Sequence, residues 1–257
     1  MANSAPEFYL SDVGEGPSAR IAYRLHAGVA PTVVFLCGFA SDMSATKALS
    51  LERYCTGRGQ AFLRFDYQGH GLSSGNFEDG DIEVWSRDAI ELLSAVTNGP
   101  LVLIGSSMGA WVMLRAALAL PQRVVGLLGI APAPDFTIDL IEPSLSAEQR
   151  SAIERDGVLW LPSRYSDRPT PITQRLLDAG RRQRLLHGSI DLECPVRLVH
   201  GMNDLDVPWQ TSLRLSESLR SKDVRICLVK DAGHRLSSER ELSLIQRTLD
   251  ELLRGVP

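Results

Sequence analysis

The sequence predicts an α/β fold: a mostly parallel eight-stranded sheet flanked by helices, in one domain spanning residues 1–257. Three observations lead there. Short β-branched runs alternate with amphipathic stretches over most of the chain, as strands joined by crossover helices do. At 257 residues and 44% hydrophobic content the chain can bury one large core. The alternation breaks only once, at 132–192, so that stretch reads as an insertion rather than a second domain.

The first two strand candidates, 7–11 and 19–25, are half polar, as an antiparallel edge facing water would be. TVVFLC (32–37), AFLRFD (61–66), LVLIGS (101–106), VVGLLGIA (124–131), VRLVHG (196–201) and VRICLV (224–229) supply the rest. Helices are expected near 44–56, 82–97, 108–119, 210–221 and 236–254; in the second, Trp85, Ala89, Leu92 and Val96 recur at helical spacing as one buried stripe. Within 132–192, Ser146 followed by Gln149 makes a capping box, and Thr170 followed by Pro171 reads as a cap with proline at the first helical position. The insertion is therefore expected to be a small helical cap or lid over the C-terminal edge of the sheet.

A net charge of −4 and dispersed basic residues give no field for nucleic acid, which is not expected as a partner. No stretch approaches the roughly 20 apolar residues of a membrane span, and the start, MANSAPEFYLSDVGEG, has no basic region followed by an apolar one. A soluble cytoplasmic protein is the expectation. Cys37, Cys55, Cys194 and Cys227 lie far apart without a CxxC pair, three of them in apolar β-like runs, and read as small buried hydrophobes.

The chemistry concentrates in LVLIGSSMGAWVML (101–114). Gly105, Ser107 and Gly109 form Gly-x-Ser-x-Gly between a strand and a helix, the setting of a nucleophile elbow. A sharp strand-to-helix turn leaves no room for side chains two residues before and two after its apex, and only Ser107 has glycine at both positions. Ser106 is out of register, and its hydroxyl is expected to be hydrogen-bonded beneath the turn. A helix N-terminus favours developing negative charge, so the Met108 N–H is expected to form half of an oxyanion hole, with the Phe39 N–H after Gly38 as the other half.

An acid and then a histidine should follow in chain order. VRLVHGMNDLDVPW offers Asp204 and Asp206; the spacing of four from the histidine of HG, with Val-Pro two residues later, selects Asp204, leaving Asp206 to face solvent or cap the next helix. Of five histidines, His234 follows Gly233 in a short loop that lets it reach Ser107. His26 and His187 read as surface residues, His70 as a structural hydrogen-bonding residue, and His200 as packing beneath the acid loop. Neither paired metal ligands, a GxGxxG after the first strand, nor a Walker loop is present, so no cofactor and no metal is expected.

Together, GFASDMSATKALSLERYC, LRFDYQGHGLSSGN, GSSMGAWVML, LPSRYS, HGMNDLDVPW and GHRLS resemble the α/β-hydrolase superfamily, and more narrowly the mitochondrial acyl-protein thioesterases also described as mycophenolic acid acyl-glucuronide esterases, with their bacterial relatives. The likeness runs from about residue 30 to the last helix. It implies an esterase or thioesterase acting on a small acyl ester or an acylated protein, with Ser107, Asp204 and His234 as triad. The start of this chain offers no mitochondrial presequence, so the family's compartment is not carried over.

The leading expectation is a cofactor-free serine hydrolase of carboxylic esters or thioesters. An acyltransferase or lipase-like enzyme on the same triad is the alternative, and a non-catalytic binding protein of the same fold is a third reading. Phe136, Ile138, Leu140, Ile141, Trp160 and Leu161 give the insertion more apolar surface than a solvated loop needs; one or two are expected to line an acyl channel. Arg181, Arg182 and Arg184 are expected to form a solvated helix face, with recognition of a carboxylate or phosphate as the alternative.

Overall fold

The computed structural model describes residues 5–11, 19–164 and 167–256, so Tyr165 and Ser166 of LPSRYS and most of the N-terminal stretch lie outside the described residues. In chain order the strands are β1 (Glu7–Ser11), β2 (Ala19–His26), β3 (Val29–Leu36), β4 (Gln60–Phe65), β5 (Leu101–Ser106), β6 (Val124–Ile130), β7 (Val158–Leu161), β8 (Thr170–Thr173), β9 (Val196–Gly201) and β10 (Val224–Val229). Eight of them form one sheet in the order β1-β2-β4-β3-β5-β6-β9-β10. β2 runs antiparallel to both its neighbours and every other pairing is parallel, so the half-polar N-terminal runs do form the antiparallel edge. β4, β5 and β9 are buried along their whole length, as strands sandwiched between helix layers must be.

The helices are α1 (Thr46–Gly57), α2 (Ile82–Val96), α3 (Met108–Ala119), α4 (Glu142–Ser144), α5 (Ala147–Asp156), α6 (Gln174–Arg182), α7 (Gln210–Ser218) and α8 (Glu239–Arg254). Asp81 caps α2 by accepting the N–H groups of Glu83 and Val84, and the stripe of Trp85, Ala89 and Leu92 is fully buried, while Val96 is only half buried. α3 is apolar on nearly every side because it lies against β5 and beneath α2. It is the most enclosed helix of the fold, which holds its N-terminus rigidly at the sheet's edge.

Between β6 and β9 the chain is more varied than a helical insertion. A π-helical turn (Thr137–Ile141) leads into α4, and α5 begins at the expected Ser146–Gln149 capping box. Then comes an antiparallel pair, β7 with β8, which the sequence reading missed. Thr170 and Pro171 belong to β8, with Pro171 opposite Trp160; α6 starts three residues later, capped by Thr173, whose Oγ1 accepts the Leu176 N–H. A proline fits there because a two-stranded pair is all edge.

This segment is fastened to the body at several points. Asp135, fully buried, accepts the N–H groups of Leu185 (2.9 Å) and Leu186 (2.7 Å), joining the two stems of the excursion. Arg175 pairs with Asp81, and Arg182 with Glu83, both on the α2 side, while the Trp111 indole N–H donates to the Gln183 carbonyl. Arg181 pairs with Glu142 and Asp178, and Arg184 lies 3.6 Å from Asp139. The arginine cluster is thus half exposed and engaged with carboxylates of the protein itself. Cys37 and Cys55 are buried as expected, but Cys194 and Cys227 are only half buried; all four are free thiols. Burial pushes the Cys55 thiol up to about 12 and that of Cys194 up to about 11, so neither is a thiolate nucleophile.

Candidate active site

Ser107 stands alone between the last residue of β5 and the first of α3, with φ 54° and ψ −122°, a backbone conformation that costs a non-glycine residue energy. Its neighbours hold it there: its N–H donates to the Ile130 carbonyl at the end of β6, and its carbonyl accepts from Ala110 and Ala133. Each flanking glycine is needed for a separate reason. A β-carbon on Gly105 would lie 2.5 Å from the Gly109 oxygen and the Ala110 α-carbon, while one on Gly109 would strike the Leu36 and Cys37 carbonyls at the end of β3. Ser106 is 7% exposed, as its register requires, but its hydroxyl makes no hydrogen bond among the described residues; the anticipated bond beneath the turn is not formed.

His234 reaches this serine. Its Nδ1 lies 2.7 Å from Asp204 Oδ2 and its Nε2 3.0 Å from Ser107 Oγ. A carboxylate can only accept, so the ring proton sits on Nδ1 and the serine hydroxyl donates to Nε2. Asp204 is fully enclosed at its side chain. Burial alone would push its carboxyl up; hydrogen bonds from His200, His234 and the Val207 N–H outweigh that and hold it well below the usual carboxylate range.

His200 is the residue that sequence reasoning undervalued. It does lie beneath the acid loop, but it also touches the acid: its Nε2 is 3.1 Å from Asp204 Oδ2. The separation of four residues from Asp204 was the available signal. Asp206 neither caps α7, whose N-cap is Trp209, nor lies fully in solvent; it is half buried, lines the cavity described below and sits 3.8 Å from Arg164. Asp204, Asp206 and His234 come close enough to suggest a cation site. The Asp204 oxygens are already occupied, Oδ1 by the N–H groups of Asp206 and Val207 and Oδ2 by the two histidines, which leaves little for a metal to bind.

The remaining histidines lie apart from Ser107. His187 is exposed, and His26 pairs with Glu52, which also forks onto the buried Arg64. His70 is buried with Nδ1 on the Gln68 carbonyl, inside an aromatic cluster with Tyr67, Phe77 and Trp85. Burial lowers its pKa to about 4, so the ring stays neutral at physiological pH.

The loop after β3 closes the site from the other side. A β-carbon on Gly38 would lie 3.4 Å from that of Ser107, so the backbone there runs directly against the serine. Asp66 fixes this loop by accepting the Met43 N–H (2.6 Å) together with the Leu72 N–H from the loop after β4. The Phe39 ring packs edge-on to Phe77 and Trp85 and against Phe136. Among the described residues no protein acceptor takes the N–H of Phe39 or of Met108, and both residues line, with Ser107, a cavity of about 830 Å³. Phe136, Leu140, Ile141, Trp160 and Leu161 line that cavity; more of the insertion's apolar residues face it than the one or two expected, and only Ile138 of the six does not. Such an arrangement can hold an apolar chain beside the Ser107 hydroxyl.

Known proteins share this architecture. The bovine (Bos taurus) mitochondrial palmitoyl-protein thioesterase ABHD10 is 38% identical over 234 residues, which cover 91% of this chain and 76% of that protein. The human protein of the same name is 37% identical over the same shares. The crystal structure of an Agrobacterium vitis S4 protein superposes with a TM-score of 0.92 at 38% identity, covering 97% of this chain and 99% of that one. The mouse alpha/beta hydrolase domain-containing protein 10 gives 0.88 at 36% identity, covering 98% and 99%. These relatives overturn one expectation. The bovine and human proteins, and the relatives of the same name from orangutan, mouse and rat, are named as mitochondrial, which points away from a cytoplasmic protein. That expectation drew on the first residues of the chain, and a compartment is addressed by a removable segment that a folded domain does not reveal. No helix among the described residues is long and apolar enough to cross a membrane. With its strand order, its Ser107 turn and a match of the Alpha/beta hydrolase family model over residues 33–242, the chain belongs to the α/β hydrolase family.

Proposed function

We propose that this enzyme is a serine hydrolase that cleaves acyl thioesters and carboxylic esters through an acyl-enzyme, with Ser107 as nucleophile, His234 as base and Asp204 as its orienting acid. The observation that carries the reading is the unbroken chain Asp204–His234–Ser107, at 2.7 and 3.0 Å, opening onto an apolar cavity. As Ser107 Oγ bonds to the acyl carbon, its proton passes to His234 Nε2, and the carbonyl electron pair moves onto the oxygen facing the Phe39 and Met108 N–H groups. Collapse expels the thiol or alcohol, which takes the proton from His234. Water then repeats the sequence on the acyl-serine, releasing the acid. Asp204, held ionised, keeps the ring in the required tautomer and stabilises the imidazolium.

Because the relatives are named palmitoyl-protein thioesterases and the insertion lines the cavity with apolar side chains, a long-chain acyl thioester on a protein is the favoured substrate class. The segment 132–192 acts in this reading as a cap that shapes the acyl site. The test is labelling with a fluorophosphonate probe alongside turnover of nitrophenyl esters and acyl thioesters of increasing chain length. Ser107→Ala should abolish labelling and lower kcat by at least ~10⁴-fold, whereas Ser106→Ala should keep both. Labelling that survives Ser107→Ala would sink the assignment.

A further inference from the structure

The triad carboxylate has a second histidine. His200, the penultimate residue of β9, is 0% exposed and is held by three contacts: Nδ1 to Ser212 Oγ of α7 at 2.8 Å, and Nε2 to both Asp204 Oδ2 and the Val207 carbonyl at 3.1 Å. A ring nitrogen facing two acceptors must carry a proton, so Nε2–H is the donor and the Ser212 hydroxyl completes Nδ1. Val207 closes the arrangement, since its N–H donates to Asp204 Oδ1 while its carbonyl accepts from His200. The ring cannot turn away from Asp204 without breaking its bonds to Ser212 and Val207 as well, in a site closed to water.

We propose that His200 is a positioning residue for the reaction, acting through Asp204: it fixes the plane of the carboxylate and shares the oxygen that receives the His234 Nδ1–H. The proposal rests on the triad reading above. A hydrogen bond from His200 draws charge from Oδ2 and so weakens the hold of Asp204 on the His234 imidazolium. Other charged groups near His234 are Asp206 with its partner Arg164, the adjacent Arg235, Glu241 of α8 and, across the cavity, Glu78 and Arg168. None of them donates to Asp204 Oδ2.

The test is the pH profile of kcat/KM for a nitrophenyl ester in wild type, His200→Phe, His200→Gln and Ser212→Ala, with each rate divided by the Ser107 sites titrated by a fluorophosphonate. His200→Phe fills the space but donates nothing; its kcat should fall roughly tenfold with little change in KM, and its acid limb should move up by roughly half a unit. His200→Gln, which returns an N–H near Nε2, should recover most of the rate and the wild-type limb. Ser212→Ala should move the limb in the same direction by less. A limb that stays in place in His200→Phe, or a glutamine no better than phenylalanine per titrated site, overturns the proposal. Should the phenylalanine variant fail to fold, an unmoved limb in Ser212→Ala overturns it alone. Loss of labelling in Ser107→Ala tests the triad reading separately, so the two failures are distinguishable.

Discussion

Gly109 stands so close to the end of β3 that a β-carbon on it would lie 2.2 Å from the Leu36 carbonyl oxygen. The first turn of α3 is therefore wedged against a neighbouring strand, and the position of Ser107 depends on a contact between elements more than 70 residues apart in sequence. Backbone cannot give way as a flexible side chain can. Gly109→Ala should shift the helix N-terminus and lower kcat by about a hundredfold, the effect of a displacement near 1 Å at a reacting group. Thermal unfolding should record about 1–3 kcal/mol of lost stability from overpacking. Kinetics at saturating substrate check the first effect and calorimetry the second.

His70 makes stability depend on pH. Its pKa is about 4 in the fold and ordinarily near 6.5, so between those values the unfolded chain binds more protons than the folded one. Stability contributed by the neutral ring is therefore full above pH 6.5 and lost as the pH falls towards 4, by up to about 3 kcal/mol. His70→Phe should remove that slope while costing the bond to the Gln68 carbonyl. Urea unfolding of both proteins across this window should give a difference that shrinks, or reverses, on acidification.

Leu140 and Ile141 line the cavity from the π-helical turn. Leu140→Trp should fill part of the space intended for the acyl chain. A hexadecanoyl thioester should then lose roughly a hundredfold in kcat/KM, while an acetyl ester should change by no more than about twofold. Equal losses on both substrates would show that the cavity does not receive the acyl chain.

Arg181, Arg182 and Arg184 already face carboxylates of the protein, Arg181 those of Glu142 and Asp178, Arg182 that of Glu83, and Arg184 that of Asp139, which it shares with Arg214. Replacing all three with alanine should leave kinetic parameters on anionic and neutral esters unchanged, with only a small loss of stability, because exposed ion pairs are screened by solvent. A selective rise in KM for anionic esters would contradict this assignment.

Much of this arrangement was legible in the sequence because its causes are local. A turn that admits no β-carbon two residues before or after Ser107 demands glycine there, and an aspartate and a histidine at two later strand ends converge on it as the sheet dictates. What escaped reading depended on neighbours distant in sequence. Thr170-Pro171 imitates a helix start, but these residues pair with Leu161 and Trp160 of β7, and pairing across the hairpin overrode the local signal. His200 looked like packing because its contact with Ser212 on α7 exists only after β9 and that helix dock. The free Ser106 hydroxyl shows the reverse: burial was legible from register, whereas a partner had to be found in space.

The contacts of Asp135 with Leu185 and Leu186 bear on how enzymes of this kind diversify. By clasping both stems of the excursion, one carboxylate closes a loop whose length can change at small entropic expense, since closure entropy grows only slowly with the number of residues enclosed. In the reading proposed above, the stretch from 137 to 183 can be rewritten for a different acyl group, provided its ties to Asp81, Glu83 and Trp111 are kept, while Ser107, Asp204 and His234 keep their places on the sheet.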